Sequence, residues 1–142
     1  MPGRLLDKAE AIMKKIKLND SELILTHGDF GYHNTILTED GKTKVIDWEF
    51  AELNHPMNDI ANVFFWTHLH FREDAKERCS RFISAYEEKM PVRDKELLMP
   101  FCIYKVLFIM KRTVNLPEHV KKEWIRRLQW VMSEEFSLKT MP

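Results

Sequence analysis

The sequence predicts an α+β fold that is mainly α: a short β-hairpin carrying a group of polar residues, set on a helical body. Three observations predict it. Two β-branched runs, Thr35-Ile-Leu-Thr38 and Lys42-Thr-Lys-Val-Ile46, flank Glu39-Asp40-Gly41, and an Asp-Gly turn between such runs is a strong hairpin signal. From Pro56 onward apolar residues recur at helical spacing. Polar residues gather where the extended runs end: "HGDFGYHN", residues 27 to 34, follows Leu23-Ile-Leu-Thr26, and Asp47 closes the second hairpin run.

Taken in order, Leu5, Leu6, Ala9, Ile12, Met13 and Ile16 fall on one stripe and predict an amphipathic helix over 4–17, ending before Asn19-Asp20. A strand is expected over 22–26. The hairpin then places Asn34 just before its first strand and Asp47 at the far end of its second. Because the two strands are antiparallel and similar in length, both residues fall at the same end. Helices are expected over 57–70, 73–89, 94–112 and 117–136, divided by Pro91 and by Asn115-Leu116-Pro117. Proline lacks an N–H and has a fixed φ, which suits helix starts. The sequence has no repeats, low-complexity tracts or flexible linkers, so residues 1–142 read as a single domain.

Composition narrows the function classes. A chain of 142 residues with 44% hydrophobic residues can bury a core. Lys plus Arg and Asp plus Glu are equal at 22 each, so no overall field recruits nucleic acid or an anionic membrane. Cys79 and Cys102 are far apart and without metal spacing, which suits reduced thiols in a cytoplasmic protein. The first 17 residues lack the apolar run and cleavage site of a signal peptide. The apolar stretch from Leu97 to Met110 is interrupted by Pro100 and Lys105, is too short to span a bilayer, and reads as a buried helix.

The chemistry rests on Asp29, Asn34 and Asp47. Two carboxylates and an amide oxygen converge at one hairpin end, and such hard oxygen ligands suit Mg²⁺, which keeps several waters and is usually shared with phosphates. A carboxylate outside the metal shell can accept a proton from an attacking hydroxyl. Zinc is a poorer fit to His27, Asp29, His33, Asp47 and His55, because no HExxH or Cys-His spacing appears and His68 and His70 point to different helix faces. On the last helix Val120, Trp124, Leu128, Val131 and Met132 form an apolar stripe, with Lys121, Lys122, Arg126 and Arg127 on a solvated face. Trp66, Trp124 and Trp130 read as core. Glu49, Glu52, Glu87 and Glu88 are the acids available to a cationic substrate.

Over residues 22–66 this pattern resembles the protein-kinase-like phosphotransferases of the aminoglycoside phosphotransferase and choline kinase superfamily, which includes the spore-coat kinase-like proteins. In that family a His-x-Asp-x-x-x-x-Asn loop precedes a hairpin ending in Ile-Asp-Phe/Trp-Glu, here His27-Gly28-Asp29 through Asn34 and Ile46-Asp47-Trp48-Glu49. Pro56-Met-Asn-Asp59-Ile-Ala61 resembles the family's Pro-x-x-Asp-Leu-Ala helix start. The resemblance implies the C-terminal lobe of a protein-kinase-like fold, with Asp29 as catalytic base and Asn34 and Asp47 as Mg²⁺ ligands. It also implies His27 and Asp59 as supports of the loop; His33, within the loop, and Glu49, after the hairpin, are the candidates for contact with substrate. Tyr32-His33 stands where relatives often carry Pro-Gly.

The implied activity is transfer of the γ-phosphoryl of ATP to a small-molecule hydroxyl, with ATP and Mg²⁺ as cofactors. Such kinases hold ATP with a Gly-rich loop, a strand lysine and a helix glutamate that come before these motifs. Here the glycines are Gly3, Gly28, Gly31 and Gly41, with one helical segment ahead of the motif, so a nucleotide-binding N-terminal lobe is not expected within these residues. A truncated catalytic lobe, inactive alone and partnered by a second copy or a separate N-terminal lobe, is the expectation. A non-catalytic binding or assembly module that keeps the lobe is the second reading.

Overall fold

The computed structural model describes residues 2–133. Five helices and four short strands follow in the order α1 (Pro2–Lys14), β1 (Ile24–Thr26), β2 (Thr35–Leu37), β3 (Thr43–Val45), β4 (Glu52–Asn54), α2 (Met57–His70), α3 (Ala75–Glu87), α4 (Leu98–Arg112) and α5 (Glu118–Val131). This is the expected mainly helical α+β fold.

Helix α1 starts and ends earlier than the periodicity predicts. Past Lys14 the chain tightens, with Lys15 N–H donating to the Ile12 carbonyl at 3.2 Å and Ile16 N–H to Met13 at 3.1 Å. A 3₁₀ turn, Asp20–Glu22, then leads to β1, its first turn capped by Asn19 Oδ1, which accepts from Ser21 N–H at 3.2 Å.

The strands form two antiparallel pairs. In the predicted hairpin Thr35 faces Val45, Ile36 faces Lys44 and Leu37 faces Thr43. Gly41, at φ +76, supplies the left-handed residue of its turn. One more bond, Ile46 N–H to the Asn34 carbonyl at 2.9 Å, extends the pairing and sets Asp47 immediately past Asn34's partner. The second pair is β1 with β4, in register Ile24–Asn54, Leu25–Leu53 and Thr26–Glu52. The sequence reading has no β4, because Glu-Leu-Asn is too short to establish a period, has no β-branched residue, and becomes a strand only through its partner.

The core lies among the helices. Met57, Ile60, Ala61, Phe64 and Phe65 of α2 are all buried and meet Cys79 and Ile83 of α3, Phe101, Ile103 and Val106 of α4, and Leu128 and Val131 of α5. Phe64 and Phe65 are fully enclosed, so truncating either to Ala should cost about 3–5 kcal/mol. Predicted and observed α2 boundaries coincide. Helices α3 and α4 are shorter than expected, α4 being preceded by a 3₁₀ turn at Lys95–Leu97. Pro117 directly precedes α5 as expected, whereas Pro91 lies in a loop and starts no helix. Helix α5 ends at Val131, short of the expected 136, with Met132 and Ser133 already in a turn; residues 134–136 lie outside the described residues. No helix among the described residues is long and apolar enough to cross a membrane.

Candidate active site

The polar segment 27–34 connects β1 to β2, and four separate elements fix its course. Asp59, in the first turn of α2, accepts the backbone N–H of His27 at 2.8 Å and of Gly28 at 3.0 Å. One helical turn later Asn62 Nδ2 donates to the Gly28 carbonyl at 3.2 Å. Gly28 sits at φ +84 with the Phe50 carbonyl 2.3 Å from where a Cβ would stand. No other residue fits that position without moving the backbone.

His27 is buried and ties the loop to the hairpin. Its Nδ1 faces the Asp29 N–H at 3.2 Å and accepts, so Nε2 carries the ring proton and donates to the Ile46 carbonyl at 2.7 Å. The Trp48 ring lies edge-on to it at 4.7 Å. This contact binds the turn after Thr26 to the residue before Asp47.

Asp29 is the most heavily bonded side chain of the loop. Its Oδ1 accepts from Lys105 Nζ of α4 and from Trp66 Nε1 of α2 at 3.2 Å. Its Oδ2 accepts from Asn34 Nδ2 at 3.2 Å and faces His33 Nε2 at 3.1 Å. Burial alone would raise its pKa, but hydrogen bonds from Lys105 and His33, together with their charges, outweigh that and leave the carboxyl below its usual range. An acid so held is ionised at neutral pH.

Asn34 is buried, and its Nδ2 also donates to the Asp29 carbonyl at 2.9 Å. With the amide nitrogen committed to Asp29, the Oδ1 side is the one left to meet a cation. Asp47 is exposed and holds a left-handed backbone, φ 62, rare for a side chain other than glycine and a feature of positions fixed by surrounding structure. Trp48 Nε1 donates back to the Val45 carbonyl at 3.1 Å, stabilising the turn after it.

Beside Gly28 and Lys105 opens a cavity of about 250 Å³ whose walls also include Glu49, Phe50, Glu52 and Tyr104. Glu49 and Glu52 bring carboxylates to it, while Phe50 and Tyr104 supply aromatic faces. A small organic molecule entering there would lie beside the Asp29–Lys105 pair.

The structure therefore gathers His27, Asp29, His33, Asn34 and Asp59 into one bonded cluster, with Asp47 adjoining through the backbone and Glu49 on the cavity wall. His55 is elsewhere: Nδ1 accepts Met57 N–H at 3.0 Å, leaving Nε2 to donate to Asp94 at 3.0 Å. Although Glu22 also approaches His55 and Asp94, that ring offers a proton there and no lone pair for a metal. Two members of the site escape the sequence reading. Trp66 reads as core from its helical position, yet it is only half-buried and its indole N–H serves Asp29. Lys105 reads as an interruption of an apolar run, and that interruption was the available signal, since a lysine amid buried residues requires a partner.

Residues 2–94 match the model of the phosphotransferase enzyme family. Hygromycin-B 4-O-kinase of Escherichia coli is 46% identical over 43 residues, 30% of this chain and 12% of that protein. Acyl-CoA dehydrogenase family member 11 of Homo sapiens is 36% identical over 63 residues, 41% of this chain and 8% of that protein. A spectinomycin phosphotransferase solved with ADP and spectinomycin has the same fold, with a TM-score of 0.59 at 18% identity over 98% of this chain and 44% of that one. The chain thus spans about a tenth of the length of the curated relatives it matches and under half of that structure. The shared fold is that of a kinase-like phosphotransferase, and the match over residues 2–94 makes this chain a member of the phosphotransferase enzyme family.

Proposed function

We propose that these residues form the catalytic lobe of a phosphotransferase that moves the γ-phosphoryl group of ATP to a hydroxyl of a small molecule. The observation that carries the reading is the arrangement around Asp29: an ionised carboxylate bonded to Asn34 and to Lys105, with Asp47 one residue past Asn34's backbone partner. Phosphoryl transfer asks little covalent chemistry of a protein and depends on positioning and charge.

Asp29 is assigned to the acceptor hydroxyl, which it orients and whose proton it takes as the oxygen bonds to phosphorus. Its four donors make it a weak base, suited to a loose transition state in which the hydroxyl loses its proton late. Asn34 Oδ1 and the Asp47 carboxylate are the residues that fit Mg²⁺: both are hard oxygen donors, one turned from Asp29 by its own amide and the other exposed. When bound there, Mg²⁺ would offset the charge of the nucleotide phosphates. His27 and Asp59 hold the loop, and His33 is placed to meet substrate at the outer oxygen of Asp29. Glu49 and Glu52 favour an acceptor with a cationic group, as hydroxylated amino compounds carry.

Residues of the two strand pairs support a partner. Leu25 and Leu53, opposite one another on β1 and β4, are 64% and 69% exposed, and Leu37 of the hairpin is 73% exposed. A nucleotide-binding lobe, in the same protein or in a second chain, is assigned to cover them. Cys79 and Cys102 are free and buried, in keeping with a cytoplasmic protein.

The test is transfer of labelled γ-phosphoryl from Mg-ATP to hygromycin B, spectinomycin and amino alcohols, with a nucleotide-binding lobe supplied in cis. Transfer to any acceptor that Asp29→Asn abolishes supports the reading. Transfer that survives the substitution refutes it.

A further inference from the structure

Asp29 lies in the loop before the hairpin and Asp47 one residue past the backbone partner of Asn34, yet the proposed reaction needs the two carboxylates in different roles. Nothing in their covalent chemistry separates them. Their surroundings do.

Lys105 is the only charged residue of α4 before its last turn, and it is 7% exposed. Its Nζ meets Asp29 Oδ1, lies 3.4 Å from the Gly28 carbonyl, and stands 5.7 Å from the centre of the Trp66 ring. A buried ammonium is costly without a partner, so this pair is a fixed feature of the packed body and not a surface ion pair. Asp29 Oδ1 therefore carries a resident cation. Oδ2 is shared by Asn34 Nδ2 and His33, on the same amide whose other end is turned to the proposed metal. Without Lys105, Asp29 would keep Trp66, Asn34 and His33 but lose its one buried cation, and its charge would be free to join a divalent cation held by Asn34 and Asp47.

We propose that Lys105 is a positioning residue that withholds Asp29 from the metal. Its ammonium occupies the inner oxygen, sets the carboxylate's rotation together with the Trp66 indole, and reserves the outer oxygen for the acceptor hydroxyl. The inference rests on the phosphotransferase reading and adds to it a residue from a helix 76 positions downstream of the loop.

The test is Mn²⁺ binding to the chain, followed by the electron paramagnetic resonance of free Mn²⁺ without nucleotide. Affinity for a hard cation rises with the number of charged ligands. Wild type should bind weakly, and Lys105→Met should bind at least about fivefold more tightly, because a second carboxylate is released to the ion. Lys105→Arg should keep the wild-type affinity, and Lys105→Met with Asp29→Asn should return to it. A lysine that served stability alone would lower the melting temperature in Lys105→Met without tightening Mn²⁺.

Unchanged or weaker binding by a folded Lys105→Met chain overturns the proposal. If that variant does not fold, Lys105→Gln and the double variant carry the comparison. Asp47→Asn separates this inference from the reading beneath it. Mn²⁺ binding indifferent to Asp47 removes the metal assignment, whereas binding that needs Asp47 but ignores Lys105 removes only the role given to the lysine.

Discussion

Asp59 Oδ1 accepts the backbone N–H of Gly28 at 3.0 Å, and its other oxygen accepts that of His27 at 2.8 Å. One carboxylate near the N-terminus of α2 thus satisfies two consecutive amides of a loop 31 and 32 residues earlier. The same Gly28 presses against the Phe50 carbonyl, so α2, the loop and the segment after Asp47 form one stack. Replacing Asp59 with Ala leaves two partly buried N–H groups without an acceptor. The expected cost is about 1–3 kcal/mol, read as a fall in melting temperature, with faster hydrogen exchange at the His27 and Gly28 amides. Asp59→Asn keeps one acceptor oxygen and should recover part of the loss.

The two site aspartates should fail in different ways. Asp29→Asn removes the proton acceptor but keeps its shape, so kcat should fall at least about 10²-fold with nucleotide affinity nearly kept. Asp47→Asn should weaken Mg²⁺-dependent nucleotide binding and abolish turnover, leaving the melt unchanged because the side chain is exposed and Asn tolerates the left-handed backbone there. Parallel kinetics and nucleotide titrations on a two-lobed protein check both. Equal loss of nucleotide binding in the two variants would contradict separate roles.

Much of this site is legible in the sequence because its parts are local. The hairpin register follows from an Asp-Gly turn between β-branched runs, and Asn34 and Asp47 are brought to one end by strand length alone. Helix α2 is legible because Pro56 and a dense apolar period mark it. What is not legible depends on distant partners. Strand β4 exists through β1, 28 residues earlier at the Leu25–Leu53 pair, and three residues are too few to show a period. Trp66 and Lys105 resemble core and accident until α2 and α4 are packed together, when both turn out to serve one carboxylate.

His68 makes the fold sensitive to mild acid. It lies on α2, with Nδ1 2.8 Å from the Phe64 carbonyl, and burial holds its pKa below the ordinary 6.5 despite that hydrogen bond. A group that protonates more readily unfolded than folded stabilises the native state in its neutral form. Its contribution is therefore complete above pH 6.5 and is lost as the pH falls below that value toward the depressed folded pKa. Wild type should lose stability as the pH falls through and below 6.5, and His68→Gln should flatten that part of the profile. Denaturant melts at a series of pH values measure the difference, and parallel profiles for the two proteins would exclude His68 as the cause.

The final expectation concerns nucleotide binding by these 142 residues alone. Holding ATP in line needs donors over the phosphates and a cation at the α- and β-phosphates, besides the metal ligands. The oxygens proposed for the metal, on Asn34 and Asp47, bring no donor to a phosphate, and Lys105 is spent on Asp29. Water reaches Asp47 and Glu49, both exposed, and in water each charge interaction is worth a fraction of its value in an enclosed site. Calorimetry with Mg-ATP should accordingly give no binding tighter than about millimolar, near 4 kcal/mol. A covering lobe supplied in cis should bring the affinity into the micromolar range and bury Leu25 and Leu53, which protection from hydrogen exchange across β1 and β4 would report. Micromolar binding by the chain alone would mean that its own residues hold the phosphates.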